Sequence, residues 1–387
     1  MYGSTQTLDK KASRETAVRI GVVSTFPPTR CGIGRFASSF VSSLAAADPS
    51  LDIEVIRLKC DKSSRVARGN VVMEIDPDSE VGIRAAIRHL NRGTVAVVQH
   101  EYGIFGADDG AAVVDLVAGL EVPTIVVLHT VVPNPTPRQR SIVEALAREA
   151  VIVVMCESAA RLLNQYYSVP AGSVEVIGHG AEWRAQPINH QPRRELITWG
   201  LLGPGKGLES SIRALALLGD IDPPIRYRIV GRTHPAIAAR HGFGYRRLLE
   251  KLVDDLGLSR VVDFVDRYVS DDELFDFVRR SDVVVVPYDN HDQVSSGVIT
   301  EAVGIGRPVV ATRFPYSDEI LRRGPGLVVD HDPESLANAI RQLVEDPVSY
   351  RAAADAAAKL SAQLSWPSIA QQYTRLIQEL APAFATA

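Results

Sequence analysis

Cysteine is scarce in this chain of 387 residues, which contains only Cys31, Cys60 and Cys156. A low and odd count of cysteines excludes the dense disulfide framework of small secreted domains. The same count is typical of proteins that work in a reducing compartment, so the sequence predicts a cytoplasmic protein.

The chain also lacks an excess of charge of either sign. Its 42 Lys and Arg residues are matched by 46 Asp and Glu residues, which leaves a net charge of −4 and a pI of about 6.2. A surface that binds nucleic acid needs a basic excess. The sequence therefore predicts no nucleic-acid partner.

Long apolar runs are missing as well, and no stretch approaches the length of about 18 residues that a transmembrane segment requires. Residues 1–16 lack the apolar core of a signal peptide and are predicted to form a flexible tail. Peripheral contact with the inner face of a membrane stays open, because Lys59, Lys62, Arg65 and Arg68 form a basic cluster. A solvated loop is the favoured interpretation of that cluster.

Short runs of Val and Ile alternate with longer amphipathic stretches, and this alternation occurs twice along the chain. The runs at residues 95–98 and 124–128 show no polar alternation, which is typical of parallel strands buried on both faces. The polar, proline-containing segment 181–194 interrupts the alternation. We therefore predict an α/β protein with two Rossmann-like, doubly wound parallel-sheet domains, at residues 17–190 and 191–365, facing across a cleft.

Polar residues follow several of these runs, at the strand ends where doubly wound sheets bind their ligands. His100, His129 and His179 each follow an apolar run of the N-terminal half, and we expect them on neighbouring strand ends. A structural turn is the favoured interpretation of His179, because glycines flank it. Separations of 29 and 50 residues do not fit a zinc-binding pattern, so no metal ligand is predicted.

An acidic pair, Asp330 and Asp332, resembles the D-x-D motif that holds metal ions in some enzymes. The pair follows the last apolar run and precedes a predicted helix. Capping of that helix is the favoured interpretation.

The segment GIGRFA, which begins at Gly32, fits the G-x-G-x-x-[GA] fingerprint of dinucleotide-binding folds. A long proline-containing loop separates it from the preceding strand, and the acidic residues about 20 positions on, Asp52 and Glu54, start the next strand rather than end it. An NAD site is therefore the weaker interpretation. The favoured one is that Gly32 and Gly34 bring backbone N–H groups toward a phosphate or sugar, with a helix at residues 34–46.

The stretch GLLGPGKG, residues 200–207, is one hydroxyl short of a phosphate-binding P-loop. Gly207 stands where that motif has the Ser or Thr that holds Mg²⁺. Gly203 and Gly205 let the backbone approach an anion, and Lys206 places a compact positive charge beside it. The stretch predicts metal-free binding of a diphosphate leaving group, with a plain turn and an exposed lysine as the alternative.

A further polar segment lies at residues 293–301. Ser295, Ser296 and Gly297 are predicted to open a helix with free N–H groups at its start. Glu301 lies further along this helix, where a carboxylate can accept hydrogen bonds from two ribose hydroxyls. A solvated helix glutamate is the alternative.

Together these motifs resemble the retaining glycosyltransferases of the GT-B fold, of the family 4 type. The resemblance spans nearly the whole chain and is carried by TFPPTRCGIGRF, QHEYGIFG, LHT, the K-G of GPGKG and a Q-x7-E helix followed by GRPVVAT. Residues 366–387 resemble the C-terminal helix that crosses back to the N-terminal domain in such proteins.

The resemblance implies transfer of a hexose from a nucleoside-diphosphate sugar to an acceptor hydroxyl, with no metal ion and no other cofactor. GDP-mannose is the favoured donor, because HEYG and LHT resemble motifs of phosphatidylinositol mannosyltransferases, and a UDP-hexose comes next. The expected acceptor is a carbohydrate, a glycoside or a lipid-linked sugar.

The resemblance also implies a role for each motif. In the N-terminal domain, Gly32 and Gly34 border the donor diphosphate and His100 lies beside the anomeric carbon. The acceptor-side residues follow the same two strands: Glu101, Tyr102, His129 and Thr130. In the C-terminal domain, Lys206 neutralises the diphosphate and Glu301 binds the ribose. The other donor-binding residues come from the surrounding turns: Gly205, Arg267, Tyr268, Gln293, Ser295, Ser296, Gly297 and Val298.

Two positions depart from the family pattern. Gln293 stands where the family has Glu, and Leu201 stands where it has Arg, so one cation beside the diphosphate is missing. Arg232, at the end of the next strand, is the candidate replacement and is predicted to act in catalysis with His100 and Lys206.

These departures leave other functions open. A non-catalytic or weakly active sugar-nucleotide-binding protein, an epimerase and a glycogen-type phosphorylase are alternatives with the same fold. An NAD-dependent oxidoreductase is a further alternative that rests on the glycine fingerprint alone.

Overall fold

The computed structural model describes residues 18–29, 31–59, 69–182, 194–233, 238 and 242–381. Three features discussed above lie outside these ranges: the tail at residues 1–16, the predicted domain boundary at 190/191, and the basic residues Lys62, Arg65 and Arg68. The chain divides into two compact units, one formed by Met1–Gly178 with Trp366–Ala387 and the other by His179–Ser365.

The first unit is built on a seven-stranded sheet in which all neighbouring strands run parallel. Its strands, in chain order, are β1 (Arg19–Ser24), β2 (Asp52–Leu58), β3 (Val71–Ile75), β4 (Val95–His100), β5 (Thr124–Leu128), β6 (Val151–Val154) and β7 (Val174–Val176). The spatial order is β3-β2-β1-β4-β5-β6-β7. The helices between them are α1 (Gly32–Ala47), α2 (Glu80–Leu90), α3 (Ala112–Ala118), α4 (Pro137–Glu149) and α5 (Glu157–Tyr166).

The second unit repeats this plan with six parallel strands. They are β8 (Glu195–Trp199), β9 (Arg226–Val230), β10 (Val262–Val265), β11 (Val283–Val286), β12 (Val309–Thr312) and β13 (Gly326–Val329). The spatial order is β10-β9-β8-β11-β12-β13. Its helices are α6 (Leu208–Ala216), α7 (Gly244–Asp255), α8 (Asp271–Arg280), α9 (Gly297–Gly304), α10 (Pro315–Leu321), α11 (Pro333–Glu345) and α12 (Pro347–Leu364).

The central strands of both sheets are buried on both faces, as their apolar sequences predict. Every residue of β4, β5 and β11 is buried, and the apolar side chains pack into one core in each unit. Because these strands leave no side chain to solvent, polar chemistry is confined to the strand ends and to the loops that follow them. Among the described helices, none is both long and apolar enough to span a bilayer.

The last helix, α13 (Trp366–Leu380), packs within the first unit. The Trp366 ring lies 5.0 Å from the ring of Phe36, and the Tyr373 ring lies 4.8 Å from that of Phe40, both in edge-on geometry. Phe36 and Phe40 belong to α1, so two aromatic pairs fix the chain end against the helix that starts at the glycine segment.

Helix starts agree with local capping chemistry. Ser270 accepts the Glu273 N–H and so caps α8, as its position before an acidic first turn predicts. Helix α1 begins at Gly32 rather than at residue 34, because the Sγ of Cys31 accepts the N–H of Gly34 and acts as the N-cap. The glycine fingerprint therefore lies inside the first turn of the helix.

A buried guanidinium ties the loop before α1 to the sheet. Arg57 of β2 is fully buried; its Nε donates to the Phe26 carbonyl at 3.1 Å, and its terminal nitrogens donate to Thr29 Oγ1 and Glu74 Oε1, both at 2.7 Å. Charge and hydrogen-bond donors are thus matched inside the protein, which a buried cation requires.

We predict that Arg57→Met lowers the free energy of unfolding by about 3 kcal/mol, because it leaves a carboxylate, a hydroxyl and a carbonyl without their shared donor. Urea unfolding measures the change. The control is Arg84→Met, which breaks an exposed ion pair with Glu80 on α2 and should cost less than about 0.5 kcal/mol. Equal effects of the two variants would contradict the role of Arg57.

Candidate functional site

The strand order of each sheet reverses at one place, and the predicted site residues gather there. In the first sheet β1 lies between β2 and β4, and in the second β8 lies between β9 and β11. The connections leaving such a central pair pass to opposite faces of the sheet, so a crevice opens at the carboxyl ends of the strands. Gly32 follows β1, His100 ends β4, Lys206 follows β8 and Gln293 follows β11.

The start of α1 borders the crevice of the first unit. The Sγ of Cys31 accepts the Gly34 N–H at 3.2 Å and contacts the Thr25 hydroxyl at 3.2 Å. A Cβ at Gly34 would lie 3.3 Å from the Thr29 carbonyl oxygen, whereas no atom lies within 4 Å of a Cβ built at Gly32. Gly34 therefore serves the packing of the loop, while Gly32 has open space beside it.

The end of β2 argues against the NAD alternative. A dinucleotide-binding fold places an acidic residue at this strand end to bind the ribose. In β2 the corresponding place is occupied by Arg57, which is buried and bonded within the protein, and Glu54 is paired with His89 at 2.8 Å. Neither acidic residue of β2 stands where the ribose would need it.

His100 is fully buried, and neither ring nitrogen has a hydrogen-bond partner among the described residues. Its ring packs edge-on against Tyr102 at 5.1 Å and nearly parallel to Phe105 at 6.5 Å. Burial lowers the pKa of His100 from 6.5 to about 4, because desolvation penalises the imidazolium. At neutral pH the imidazole is uncharged and offers one donor and one acceptor to a bound group.

Glu101 and Thr130 are joined across the ends of β4 and β5. The Thr130 hydroxyl donates to Oε2 of Glu101 at 2.6 Å, and the amide of Tyr102 donates to Oε1 at 3.0 Å. Desolvation raises the pKa of Glu101, and these two hydrogen bonds oppose the rise. Desolvation also raises the pKa of the Tyr102 hydroxyl. The carboxyl group of Glu101 is therefore held in a defined orientation beside the buried imidazole.

His129 belongs to the same group of residues. Its N–H donates to the carbonyl of His100 at 3.0 Å, and its ring Nε2 donates to Oε1 of Gln99 at 2.8 Å. The ring also meets the Phe36 ring of α1 edge-on, with centroids 4.8 Å apart. The structure thus brings together the predicted polar residues of this unit: His100, Glu101, Tyr102, His129 and Thr130.

The strand that precedes His179 does not neighbour the strand that precedes His129, so the expectation of three histidines on neighbouring strand ends is wrong. His179 lies in the second unit, and β6 separates β5 from β7, the strand that precedes His179. Its Nδ1 donates to the Gly180 carbonyl at 2.8 Å, and a Cβ built at Gly297 would lie 3.4 Å from its Nε2. His179 is therefore a neighbour of the start of α9.

We predict that His100 makes the protein less stable in acid. Its folded pKa of about 4 lies below the unfolded value of 6.5, so the unfolded chain binds the proton first and stability is lost as the pH falls through this interval. The loss due to His100 is at most about 3 kcal/mol. His100→Asn should lose less stability than the wild type between about pH 7.5 and pH 4.5, measured by urea unfolding. Equal losses would contradict a buried neutral imidazole.

In the second unit, Lys206 lies on a turn that requires glycine. Gly205 and Gly207 have φ angles of +86° and +60°. A Cβ at Gly207 would approach the Pro287 carbonyl oxygen to 1.6 Å, so no side chain fits there. The Asp289 amide donates to the Gly205 carbonyl at 3.1 Å. The lysine turn after β8 is therefore bonded to the segment after β11.

Two cations of this unit lie over aromatic rings. The ammonium of Lys206 is 4.0 Å from the centre of the Tyr288 ring, and the guanidinium of Arg232 is 5.6 Å from that of Tyr268. Both distances lie within the range of a cation–π contact. Arg232 follows β9, Tyr268 follows β10 and Tyr288 follows β11, so both pairs form at the carboxyl edge of the sheet.

Arg267 is engaged elsewhere. Its guanidinium forms a two-pronged ion pair with Glu273 in the first turn of α8, with one N–O distance of 2.7 Å. This pairing raises the pKa of Arg267 and lowers that of Glu273. The side chain is exposed, and its charge is matched within the protein.

The start of α9 is held by buried hydrogen bonds. The Oγ of Ser296, the N-cap, accepts the N–H of the third helical residue at 3.3 Å. The Thr300 hydroxyl donates to the Ser296 carbonyl at 2.9 Å and lies 2.6 Å from the Tyr316 hydroxyl. Gly297 and Val298 are the first two helical residues, whose N–H groups have no intrahelical acceptor. A rigid, positively polarised helix end results.

The side chain of Gln293 is turned onto its own loop. Its Nε2 donates to the Ser295 carbonyl oxygen at 2.7 Å, and the backbone carbonyl of Gln293 accepts the Tyr316 N–H at 3.3 Å. A carboxylate at this position would bring two oxygens without a proton to the distance of a hydrogen bond. The amide is therefore matched to this loop conformation. Glu301, about one turn into α9, is half-buried.

We predict that Gln293→Glu is less stable than Gln293→Met at pH 8, by about 1 kcal/mol, because a carboxylate opposes the Ser295 carbonyl while a thioether only loses the hydrogen bond. We expect the loop to raise the pKa of the introduced carboxyl group above its unfolded value. The difference in stability between Gln293→Glu and Gln293→Met should therefore narrow as the pH falls toward about 5. Thermal unfolding of both variants at several pH values measures it. A gap that is absent at pH 8 would contradict this role of the amide.

One member of the D-x-D pair, Asp332, caps a helix, as predicted. Oδ1 of Asp332 accepts the Ser335 N–H at 2.7 Å, which makes Asp332 the N-cap of α11. Oδ1 of Asp330 lies 3.8 Å from Nε of Arg313. Within the described ranges, no three His, Cys, Asp or Glu side chains cluster closely enough to hold a metal ion.

Three residues at these crevices escaped the sequence analysis. Tyr288 directly follows the proline that ends the apolar run of β11, Gln99 precedes His100, and Arg57 is the one cation in the strand sequence DIEVIRL. A lone polar residue in a buried strand was the available signal for Arg57 and Gln99. Tyr288 follows an apolar run as the other strand-end residues do, but it was given no role, because an aromatic residue after a strand is ordinarily part of the core.

Comparison with known proteins identifies the second unit more closely. Residues 181–360 match the family model described as "Glycosyl transferases group 1". The chain is 35% identical over 162 residues to the D-inositol 3-phosphate glycosyltransferase of Corynebacterium urealyticum, which covers 41% of this chain and 36% of that protein. It is 32% identical over 228 residues to the protein of the same name from Streptomyces coelicolor, which covers 56% and 49%. The chain thus spans about half or less of the length of these relatives.

Solved structures match over nearly the whole chain. Sucrose-phosphate synthase from Thermosynechococcus elongatus has a TM-score of 0.72 at 18% identity and covers 95% of this chain and 100% of that one. Anabaena Alr3699/HepE, solved in complex with UDP and glucose, has a TM-score of 0.72 at 17% identity and covers 94% and 100%. Such likeness shows the fold, and it confirms the predicted α/β fold class of the GT-B type.

Proposed function

We propose that this chain, whose residues 181–360 match the family model "Glycosyl transferases group 1", transfers a hexose from a nucleoside-diphosphate sugar to an acceptor hydroxyl. In this proposal the transfer retains the anomeric configuration and proceeds without a metal ion. The observation that carries it is the lysine turn after β8, which is hydrogen-bonded to the segment leading into α9 at the switch point of the second sheet.

The donor diphosphate is assigned to the second unit. Lys206 and Arg232 supply positive charge there, and the N–H groups of Gly297 and Val298 supply the positive end of a helix dipole. Groups of this kind stabilise the negative charge that grows on a diphosphate as it leaves. The half-buried Glu301 is the candidate to bind the ribose hydroxyls.

The transfer exchanges one bond to the anomeric carbon for another. The acceptor oxygen forms a bond to that carbon on the face from which the diphosphate departs, and the carbon–oxygen bond to the diphosphate breaks with its electron pair. The acceptor proton passes to the departing phosphate oxygen. This route needs no pair of enzyme carboxylates such as glycosidases use.

His100 fits a role that requires an uncharged ring. Its unpartnered nitrogens and its pKa of about 4 support an imidazole that hydrogen-bonds a sugar hydroxyl at neutral pH instead of carrying a charge. The neighbouring Glu101, held by Thr130 and the Tyr102 amide, and His129 are assigned to the acceptor side.

The sequence motifs favour GDP-mannose as the donor, whereas the HepE structures were solved with UDP or UDP-glucose. The name of the two relatives adds D-inositol 3-phosphate as an acceptor to test. The proposal therefore names a nucleoside-diphosphate hexose as the donor class, with a carbohydrate, a glycoside or a lipid-linked sugar as the acceptor class.

We predict that one nucleoside diphosphate among GDP, UDP and ADP raises the melting temperature of the wild type. Binding to the folded state alone adds about 2.7 kcal/mol of stability at a ligand concentration one hundred times Kd. Lys206→Ala should abolish most of this shift, because it removes the compact charge beside the phosphates. The control is Lys251→Ala, an exposed lysine of α7 paired with Asp255, which should keep the full shift. A wild type that none of the three stabilises would overturn the proposal.

Turnover separates an enzyme from a sensor. The wild type is incubated with the matching sugar nucleotides and an acceptor panel that includes D-inositol 3-phosphate, and released nucleotide and glycoside are quantified. Release of nucleotide with formation of a glycoside supports transfer. Binding without any release would favour a non-catalytic sugar-nucleotide-binding protein, and conversion of one sugar nucleotide into another would favour an epimerase.

A further inference from the structure

The ring of Tyr288 lies directly beneath the ammonium of Lys206, and its own position is firmly held. It is 4% exposed and stacks on the Phe314 ring with centroids 5.8 Å apart. The Thr312 hydroxyl donates to the Tyr288 carbonyl at 2.6 Å, which pins the backbone at this residue. The ring is therefore a fixed surface and not a mobile neighbour.

The backbone links this surface to the lysine turn. The residue after Tyr288, Asp289, donates its N–H to the carbonyl of Gly205 at 3.1 Å, and Gly205 directly precedes Lys206. Pro287, on the other side of the ring, has its carbonyl oxygen where a Cβ of Gly207 would lie. The turn that carries Lys206 is thus packed against the segment that carries Tyr288, both before and after the lysine.

An aromatic face holds a cation without cancelling its charge. A carboxylate partner would orient a lysine equally well, but it would leave an ion pair with no net charge for an anionic ligand. The negative face of a ring attracts the ammonium through its quadrupole and leaves the full positive charge on the nitrogen. Among the described residues, no carboxylate forms an ion pair with Lys206.

Orientation matters more here because a second cation is missing from this turn. Leu201 stands before the lysine turn in the place where the sequence pattern calls for Arg. A free lysine side chain has several rotatable bonds and is among the most costly to order on binding. A lysine that already rests on a buried ring loses less conformational freedom when it contacts a phosphate.

We propose that Tyr288 is a positioning residue, whose ring pre-orients the ammonium of Lys206 toward the diphosphate of the nucleotide. The inference rests on the proposed function, since it concerns the same site. It adds a residue that neither the motifs nor the comparisons assign, and it concerns the one cation that the lysine turn itself supplies.

The test compares nucleotides that differ only in the terminal phosphate. The Kd values of the diphosphate that stabilises the wild type and of its monophosphate are measured by calorimetry for the wild type, Tyr288→Phe and Tyr288→Leu. Tyr288→Leu should weaken diphosphate binding by about 3-fold to 30-fold, the range of a cation–ring contact, and monophosphate binding by less than about 2-fold. Tyr288→Phe keeps the ring, so its Kd for the diphosphate should lie within about 2-fold of the wild-type value.

A second readout follows the lysine itself without any nucleotide. The rate at which a small amine-acylating reagent modifies Lys206, measured by mass spectrometry, should rise at least about 3-fold in Tyr288→Leu and stay at the wild-type value in Tyr288→Phe, because only the former frees the ammonium from the ring. Lys251, in the same protein, serves as the internal reference for reagent activity.

The outcomes separate this inference from the function on which it rests. A wild type that binds no nucleoside diphosphate overturns the proposed function, and the inference with it. A wild type that binds the diphosphate, beside a Tyr288→Leu variant that binds it equally well, overturns the inference alone. Equal weakening of mono- and diphosphate binding, or unchanged acylation of Lys206, also overturns it, because a general packing defect would then explain the variant.

Discussion

The reversal of strand order beside β1 and beside β8 is the constraint on which the rest of the structure depends. Parallel strands that are covered by helices on both faces must be largely apolar; β11 is apolar throughout, and β4 is apolar up to its last two residues, Gln99 and His100. Polar groups can then collect only where the strands end, and the connections diverge only where the order reverses. Each unit follows this rule by itself. In the first unit a glycine-rich helix start and a buried histidine lie at the strand ends, and in the second a lysine turn and a capped helix lie there.

The side chains at the two crevices differ in charge. In the first unit burial keeps His100 uncharged and raises the pKa of Glu101, which suits hydrogen bonding to neutral hydroxyl groups. In the second unit two cations rest on aromatic rings that do not neutralise them. Under the proposed function, the neutral, polar crevice suits an uncharged hydroxyl partner and the cationic crevice suits an anionic diphosphate.

Much of the fold and part of the site followed from sequence alone. Apolar runs located the strands other than β3, and Ser270 and Asp332 marked helix starts because capping is a contact between residues three positions apart. The residues after each run, such as His100 and Lys206, were found by the same reasoning, since the end of an apolar run is visible in the sequence. His179 was assigned to the wrong group because its neighbours depend on which strands pair, and no local pattern records that.

The sequence by itself determined the order of strands and helices, the glycine turns and the chemical type of each residue at a strand end, because these depend on side chains only a few positions apart. Tertiary structure alone decided which strand ends adjoin and which partner each polar group has. The contacts of Arg57 with Thr29 and Glu74, and of Lys206 with Tyr288, join residues far apart in the chain. Such contacts exist only after the sheet has formed, because the pairing of parallel strands is what brings distant loops to one edge.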